Sequence, residues 1–125
     1  MAFKLKTSKR TEDIFSRIES SENMPCYVLA KLAIALSLRS ESILEEKDFS
    51  TNSMGRELNR QTITGDADAM YKCLMELHAG RHLSDDEFFP MYVKAHLDRG
   101  AIYLDREQRY GGDLLVHLTE LEKGI

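Results

Sequence analysis

The sequence predicts a mainly α-helical protein that opens with one short strand. Three observations carry this. Apolar residues recur at helical spacing through most of the chain, whereas residues 3–7 alternate with the period of a strand. Helix start and stop signals recur along the chain: Ser8, Asp66, Ser84 with Glu87, and Asp113 as starts, Gly80 and Gly100 as stops. The composition, 42% hydrophobic and 30% charged over 125 residues, suits a single helical domain spanning 1–125 rather than a disordered chain.

Phe3, Leu5 and Thr7 face one side of the strand, and Lys4 and Lys6 the other. Ser8 then caps a helix on which Thr11, Ile14, Phe15 and Ile18 share a face. Ser20–Met24 is a polar break, with Asn23 as an N-cap and Pro25 in the first turn of the next helix. That helix, roughly 24–39, carries Leu29, Ala30, Leu32, Ala33, Ile34, Leu36 and Leu38 on more than one face. It should be buried from several sides, by the monomer's core, by a subunit interface, or by both. Residues 40–54 have only Ile43, Leu44 and Phe49 as anchors and read as a loop with one helical turn.

Residues 55–65, GRELNRQTITG, have no clear period and end on a glycine; a short extended segment and a structured loop both fit. A helix follows from Asp66 to about His78, with Met70, Cys73, Leu74 and Leu77 on one face and Gly80 as its stop. Ser84 and Glu87 form a capping-box signature for a helix to about Arg99, stopped by Gly100 and disturbed by Pro90. Residues 101–110 are ambiguous. Gly111–Gly112 reads as a turn, and Asp113 as the cap of a last helix with Leu114, Leu118 and Leu121 in register.

The formal net charge of −4 means that bulk electrostatics do not attract nucleic acid, so DNA contact needs a local patch. Residues 1–10 supply one: Lys4, Lys6, Lys9 and Arg10, with no acid among them. The alternative is a basic tail that only solubilises the protein. Cys26 and Cys73 lie in apolar stretches and read as buried thiols rather than a secreted disulfide framework. The N-terminus is polar where a signal peptide's apolar core should lie, and the apolar run Tyr27–Leu38 is interrupted by Lys31 and Ser37. A cytoplasmic protein outside the membrane is expected.

Signs of catalysis are weak. No Walker loop, dinucleotide fingerprint or GxSxG elbow occurs. His78 and His82 have the four-residue offset of two ligands on one helical turn, but Gly80 divides them, and His96 and His117 stand alone. Asp85, Asp86 and Glu87 sit at a helix start, where the helix dipole explains an acidic run. The expectation is a non-enzyme with no metal and no cofactor. A small metal-dependent enzyme and an adaptor that meets an acidic partner remain as rival readings.

Two resemblances sharpen this picture. The strand–helix–helix order of residues 1–40 resembles the ribbon-helix-helix family. There the lone strand pairs with the same strand of a second copy, and the resulting ribbon reads DNA as a repressor or antitoxin does. Residues 8–75 resemble the DndE family, the small subunits of bacterial DNA phosphorothioation systems. The matching features are PCYVLAKLAIALSL, with its Ser37-Leu38 end, and the block Gly55, Glu57, Asn59, Arg60, Thr62 and Gly65 followed by Asp66. The chain departs from the family's pattern around its proline, with Glu22-Asn23-Met24 before it and Cys26 after it.

The DndE resemblance implies a helical homo-oligomer, often a tetramer, that binds DNA and assists other subunits of a sulfur-transfer complex without being the sulfurtransferase or the ATPase. It favours a nicked or bent duplex as target. Arg17, Arg56 and Arg60 join Lys4, Lys6, Lys9 and Arg10 as the expected DNA-contacting set. For the Gly55–Gly65 block the competing expectation is a rigid connector with an internal Arg60–Glu57 pair.

Overall fold

A computed structural model describes residues 2–111 and 114–121. The elements run β1 (Lys4–Lys6), α1 (Lys9–Glu22), α2 (Cys26–Arg39), α3 (Glu46–Phe49), β2 (Glu57–Asn59) and α4 (Arg60–Ile63). A 3₁₀ turn (Gly65–Ala67) then leads to α5 (Asp68–Ala79) and α6 (Asp85–Glu87), and a π-helical turn (Phe88–Val93) to α7 (Lys94–Gly111) and α8 (Leu114–Leu121). The fold is thus mainly helical, as expected, with one small antiparallel sheet at its N-terminal end.

The strand finds its partner in its own chain. β1 pairs with β2, setting Lys4 opposite Asn59, Leu5 opposite Leu58 and Lys6 opposite Glu57. The expected ribbon made with a second copy is therefore corrected: the first residues of the block take the extended option and close the ribbon internally. Burial explains the register, since Leu5 and Leu58 both turn into the core. The chain stays close beyond the strands, with bonds from Gly55 N to Thr7 O (2.9 Å) and from Arg60 N to Phe3 O (2.7 Å). Gly55 permits this approach, because a Cβ there would lie 2.2 Å from Ser8 O.

α1 forms as its cap predicts: the Ser8 side chain accepts from Thr11 N, and Thr11, Ile14, Phe15 and Ile18 are buried. Asn23 does not start α2. It ends α1 in the left-handed region, at φ 53°, which asparagine tolerates, and Pro25 is the N-cap residue of α2. α2 and α7 form the centre of the molecule. Leu29, Ala30, Ala33, Ile34 and Ser37 of α2 are buried, with Leu32, Leu36 and Leu38 half-buried.

α7 corrects the expected stop at Gly100 and runs on through the ambiguous 101–110 to Gly111. A Cβ on Gly100 would lie 1.7 Å from the Ala33 carbonyl oxygen, so this glycine is a notch that lets two helices touch. Pro90 has the disturbing effect predicted for it. The Ser84–Glu87 capping box forms, and the helix then widens into the π turn around the proline before continuing as α7.

α5 starts after the 3₁₀ turn rather than at Asp66, and Gly80 ends it at φ 76°. The side it turns to the core is that of Met75 and Tyr71. Met70, Cys73, Leu74 and Leu77 lie exposed, so Cys73 is not the buried thiol expected of it; Cys26 is half-buried. The single turn expected in 40–54 is α3. Leu114 is buried and Leu118 half-buried; Gly112, Asp113 and the side chain of Leu121 lie outside the described residues. Among the described residues no helix is long and apolar enough to cross a membrane.

Candidate nucleic-acid interface

The pleat of β1 fixes its side chains. Leu5 points inward, so Lys4 and Lys6 point outward, and both are exposed. One residue after Ser8 begins α1, so exposed Lys9 and Arg10 stand in that helix's first turn. Ion pairs engage two of the four: Lys4 lies 3.9 Å from Glu57, a loose contact, whereas Lys9 lies 2.7 Å from Glu12 and 3.4 Å from Asp13. Hydrogen bonds to Glu12 and Asp13 hold the Lys9 ammonium above the usual lysine range. Among the described residues no ion pair holds Lys6 or Arg10.

Cations at the first turn of a helix oppose its dipole. The same positive end favours an anion through its dipole, its backbone donors being largely taken: Lys9 N donates to Asn52 Oδ1 (3.0 Å), Thr11 N to Ser8 Oγ (3.1 Å) and Glu12 N to Ser8 O (3.1 Å). A phosphate arriving here would meet the dipole and the cations together. The edge is also rigidly seated. Asp98, 3% exposed, accepts from Ser8 N (3.1 Å) and Thr11 Oγ1 (2.7 Å) with one oxygen. With the other it accepts from Thr51 Oγ1 (2.6 Å) and Lys94 Nζ (2.7 Å). This buried carboxylate pins the start of α1 to α7. Sequence reasoning missed it, because Lys94 and Asp98 four residues apart look like an ordinary surface pair.

The other three expected DNA contacts are engaged inside the chain. Arg17 bonds Asp105 and Gln108. Arg56 pairs with Glu19 at 2.8 Å and donates to Ser16 Oγ at 3.2 Å. Arg60, with a side chain only 11% exposed, donates to both oxygens of Asp68 (2.9 and 2.7 Å), to both oxygens of Asp85 (3.4 and 2.9 Å) and to Ala2 O (2.9 Å). Its guanidinium also lies over Phe88 (5.5 Å) and Phe89 (5.1 Å). Hydrogen bonds from Arg60 pull the Asp68 and Asp85 carboxyls below the usual range.

The internal pair envisaged for Arg60 therefore exists, but with Asp68 and Asp85; Glu57 faces Lys4 instead. The rest of the block is equally occupied. Asn59 caps α4 by accepting from Gln61 N (2.9 Å), Thr62 Oγ1 donates to Asn59 O (2.9 Å), and Gly65 turns at φ 46°.

His78 and His82 turn to different partners, and the His78 ring meets His96 edge-on with 5.1 Å between centres. His78 Nε2 meets Ser40 O at 2.8 Å, and His82 Nδ1 meets Glu76 at 2.6 Å. His96 is fully buried, with Nδ1 2.8 Å from Ser37 Oγ. Arg99 Nε donates to the same hydroxyl oxygen (2.8 Å), which leaves the Ser37 proton for His96 Nδ1 and the ring proton on Nε2. Burial, helped by the nearby charges of His78 and Arg99, pushes His96 down to about 3. Among the described residues no three His, Cys, Asp or Glu side chains converge as a metal site.

Comparisons with known proteins converge on one family. The family profile described as DndE, DNA sulphur modification protein, matches residues 4–110. Among solved structures, the chain is similar to the crystal structure of DndE from Escherichia coli B7A involved in DNA phosphorothioation modification. The TM-score is 0.66 at 19% identity, covering 83% of this chain and 97% of that one. It is also similar to a crystal structure of a glycine-to-lysine mutant of DndE involved in DNA phosphorothioation, with a TM-score of 0.60 at 19% identity, covering 82% of this chain and 97% of that one. No curated protein sequence matches the chain.

Proposed function

The chain belongs to the DndE family of DNA sulphur modification proteins, and from that premise we propose that it is a non-catalytic, DNA-binding accessory subunit of a DNA phosphorothioation system. The observation that carries the binding role is the exposed cationic edge of Lys4, Lys6, Lys9 and Arg10 in a chain of net charge −4. In this reading the four side chains contact phosphates and give salt-sensitive binding with little sequence preference. Exposed pairs such as Lys4–Glu57 contribute only about 0–1 kcal/mol, so they yield readily to a phosphate. Arg17, Arg56 and Arg60 hold the scaffold behind that edge and touch DNA only indirectly.

The protein acts in the cytoplasm as a homo-oligomer, a tetramer in keeping with the family, alongside other subunits of the modification complex. Exposed Met70, Leu74 and Leu77 support a subunit contact. A nicked or otherwise distorted duplex is the preferred target. The ribbon-helix-helix reading, with its sequence-specific operator, loses its main support once β1 has its partner in β2. A gel-shift panel of intact, nicked and single-stranded DNA at fixed salt tests the proposal. Binding of duplexes regardless of sequence, tightest on the nicked one, is expected. Strict dependence on one operator sequence, or no binding at all, would reject it.

A further inference from the structure

Three other arginines behave differently from Arg17, Arg56 and Arg60. Arg99 is 8% exposed, yet no carboxylate pairs with it among the described residues. Its donors meet only neutral acceptors: Ser37 Oγ (2.8 Å), Ser37 O (2.7 Å) and Ser42 O (2.7 Å). The adjacent carboxylate of Asp98 already serves Ser8, Thr11, Thr51 and Lys94. The Ser37 and Ser42 oxygens, the former in the last turn of α2 where the helix dipole is negative, hold the guanidinium in place without cancelling its charge.

The surroundings of Arg99 show where an anion would enter. The Tyr103 ring has the Arg99 guanidinium 5.7 Å from its centre and that of Arg106 at 5.9 Å, which gathers two positive charges around one ring. Two adjoining cavities, of about 430 and 270 Å³, share Tyr103 and Arg106 in their walls. Arg99 and Lys47 line the first, and Arg39, at the end of α2, lines the second. Arg39 and Arg106 are exposed and have no ion pair among the described residues. The walls also carry carboxylates, Asp98 among them, but among the described residues none pairs with Arg39, Arg99 or Arg106. Glu45 and Asp48 hold each other's backbone in the capping box of α3, Glu45 also lying 3.9 Å from Lys47, and Glu107 bonds His117.

We propose that this arginine groove binds a phosphate oxyanion, either a phosphodiester of a nucleic-acid strand or a free phosphate. Arg99 supplies the charge at its floor and Arg106 and Arg39 supply the forks at its rim, the geometry in which guanidinium binds phosphate through paired N–H groups. The inference does not rest on the N-terminal edge, which shares none of these residues.

The test is arginine side-chain NMR on the whole protein. The Nε–H signals of Arg99 and Arg106 are followed while inorganic phosphate, and separately a short single-stranded oligonucleotide, is added. Saturable shifts with phosphate are expected, and Arg106→Gln, an exposed substitution that keeps the fold, should weaken phosphate binding about tenfold or more. Arg39→Gln should act in the same direction. An oligonucleotide that saturates the same signals at lower concentration identifies a nucleic-acid backbone as the source. Saturation by phosphate alone identifies the free ion. Replacing Lys4, Lys6, Lys9 and Arg10 with alanine should leave the phosphate shifts intact even if duplex binding is lost. Signals that never saturate, that respond equally in Arg106→Gln, or that vanish with the N-terminal replacements would overturn the proposal.

Discussion

Replacing Arg60 with lysine keeps the charge and removes the fork. In the native chain the guanidinium grips Asp68 and Asp85 on both oxygens and reaches Ala2 O as well. A lysine ammonium is a point charge with three donors and cannot hold two carboxylates in that geometry. The change therefore forfeits about two charge-assisted hydrogen bonds, each worth roughly 1.5–3 kcal/mol. Asp68 and Asp85 have side chains 32% and 36% exposed, so water recovers part of that loss. A net cost of about 1.5–3 kcal/mol follows after that discount. For a chain of this size it corresponds to a fall of roughly 5–15 °C in melting temperature. Calorimetry with a parallel urea titration measures it, and an unchanged urea slope would confine the effect to the native state. DNA affinity measured well below the melting transition should change little. A variant that melts like the parent yet loses DNA binding would refute the structural role and return Arg60 to the contact surface.

Three further outcomes follow from the packing. Gly100→Ala should destabilise by about 1–3 kcal/mol or more despite alanine's better helix propensity, because its methyl would meet the Ala33 carbonyl; urea unfolding reads this, and a more stable variant would disprove the notch. His96 is neutral in the fold, at about 3 against an ordinary 6.5. Its contribution is thus complete above pH 6.5 and is lost as pH falls towards 3, at up to about 1.4 kcal/mol per pH unit. His96→Gln should flatten the stability profile between pH 6.5 and 4.5, and an unaltered profile there would count against it. Asp68 and Asp85 are held below their ordinary value of 3.8, so the Arg60 clamp contributes above that value and fails as pH drops through the lowered ones. Arg60→Lys should accordingly be less acid-sensitive than the parent below about pH 4, as circular dichroism across an acid titration would record.

What could be read from the sequence was local. The Ser8 cap, the Ser84–Glu87 box and the Gly80 stop act within a turn of backbone, and all three form as expected. What escaped depends on partners far along the chain. Gly100 looks like a helix stop until Ala33 is set against it, and the same residue type then serves as a contact point. Periodicity finds an apolar side of α5, but the packing of Met75 and Tyr71 decides which side turns inward, leaving Leu74 and Leu77 outside. Likewise Arg60 takes its partners from 68 and 85 rather than from nearby Glu57. The acidic run at 85–87 thus has a second use beyond the helix dipole. The cationic edge was legible because an alternating strand followed by a cap fixes the direction of Lys4, Lys6, Lys9 and Arg10 without reference to anything remote.

If DNA is held along this edge, the salt dependence of binding reports it directly. Each phosphate contact contributes about 0.9 to the slope of log affinity against log salt on duplex DNA. The parent and a variant with alanine at Lys4, Lys6, Lys9 and Arg10 are to be titrated on the same nicked duplex over a salt series, by fluorescence anisotropy. Weaker binding and a slope shallower by about 2–4 are expected in the variant. An affinity and slope matching the parent's, in a variant that melts normally, would contradict this placement of the DNA.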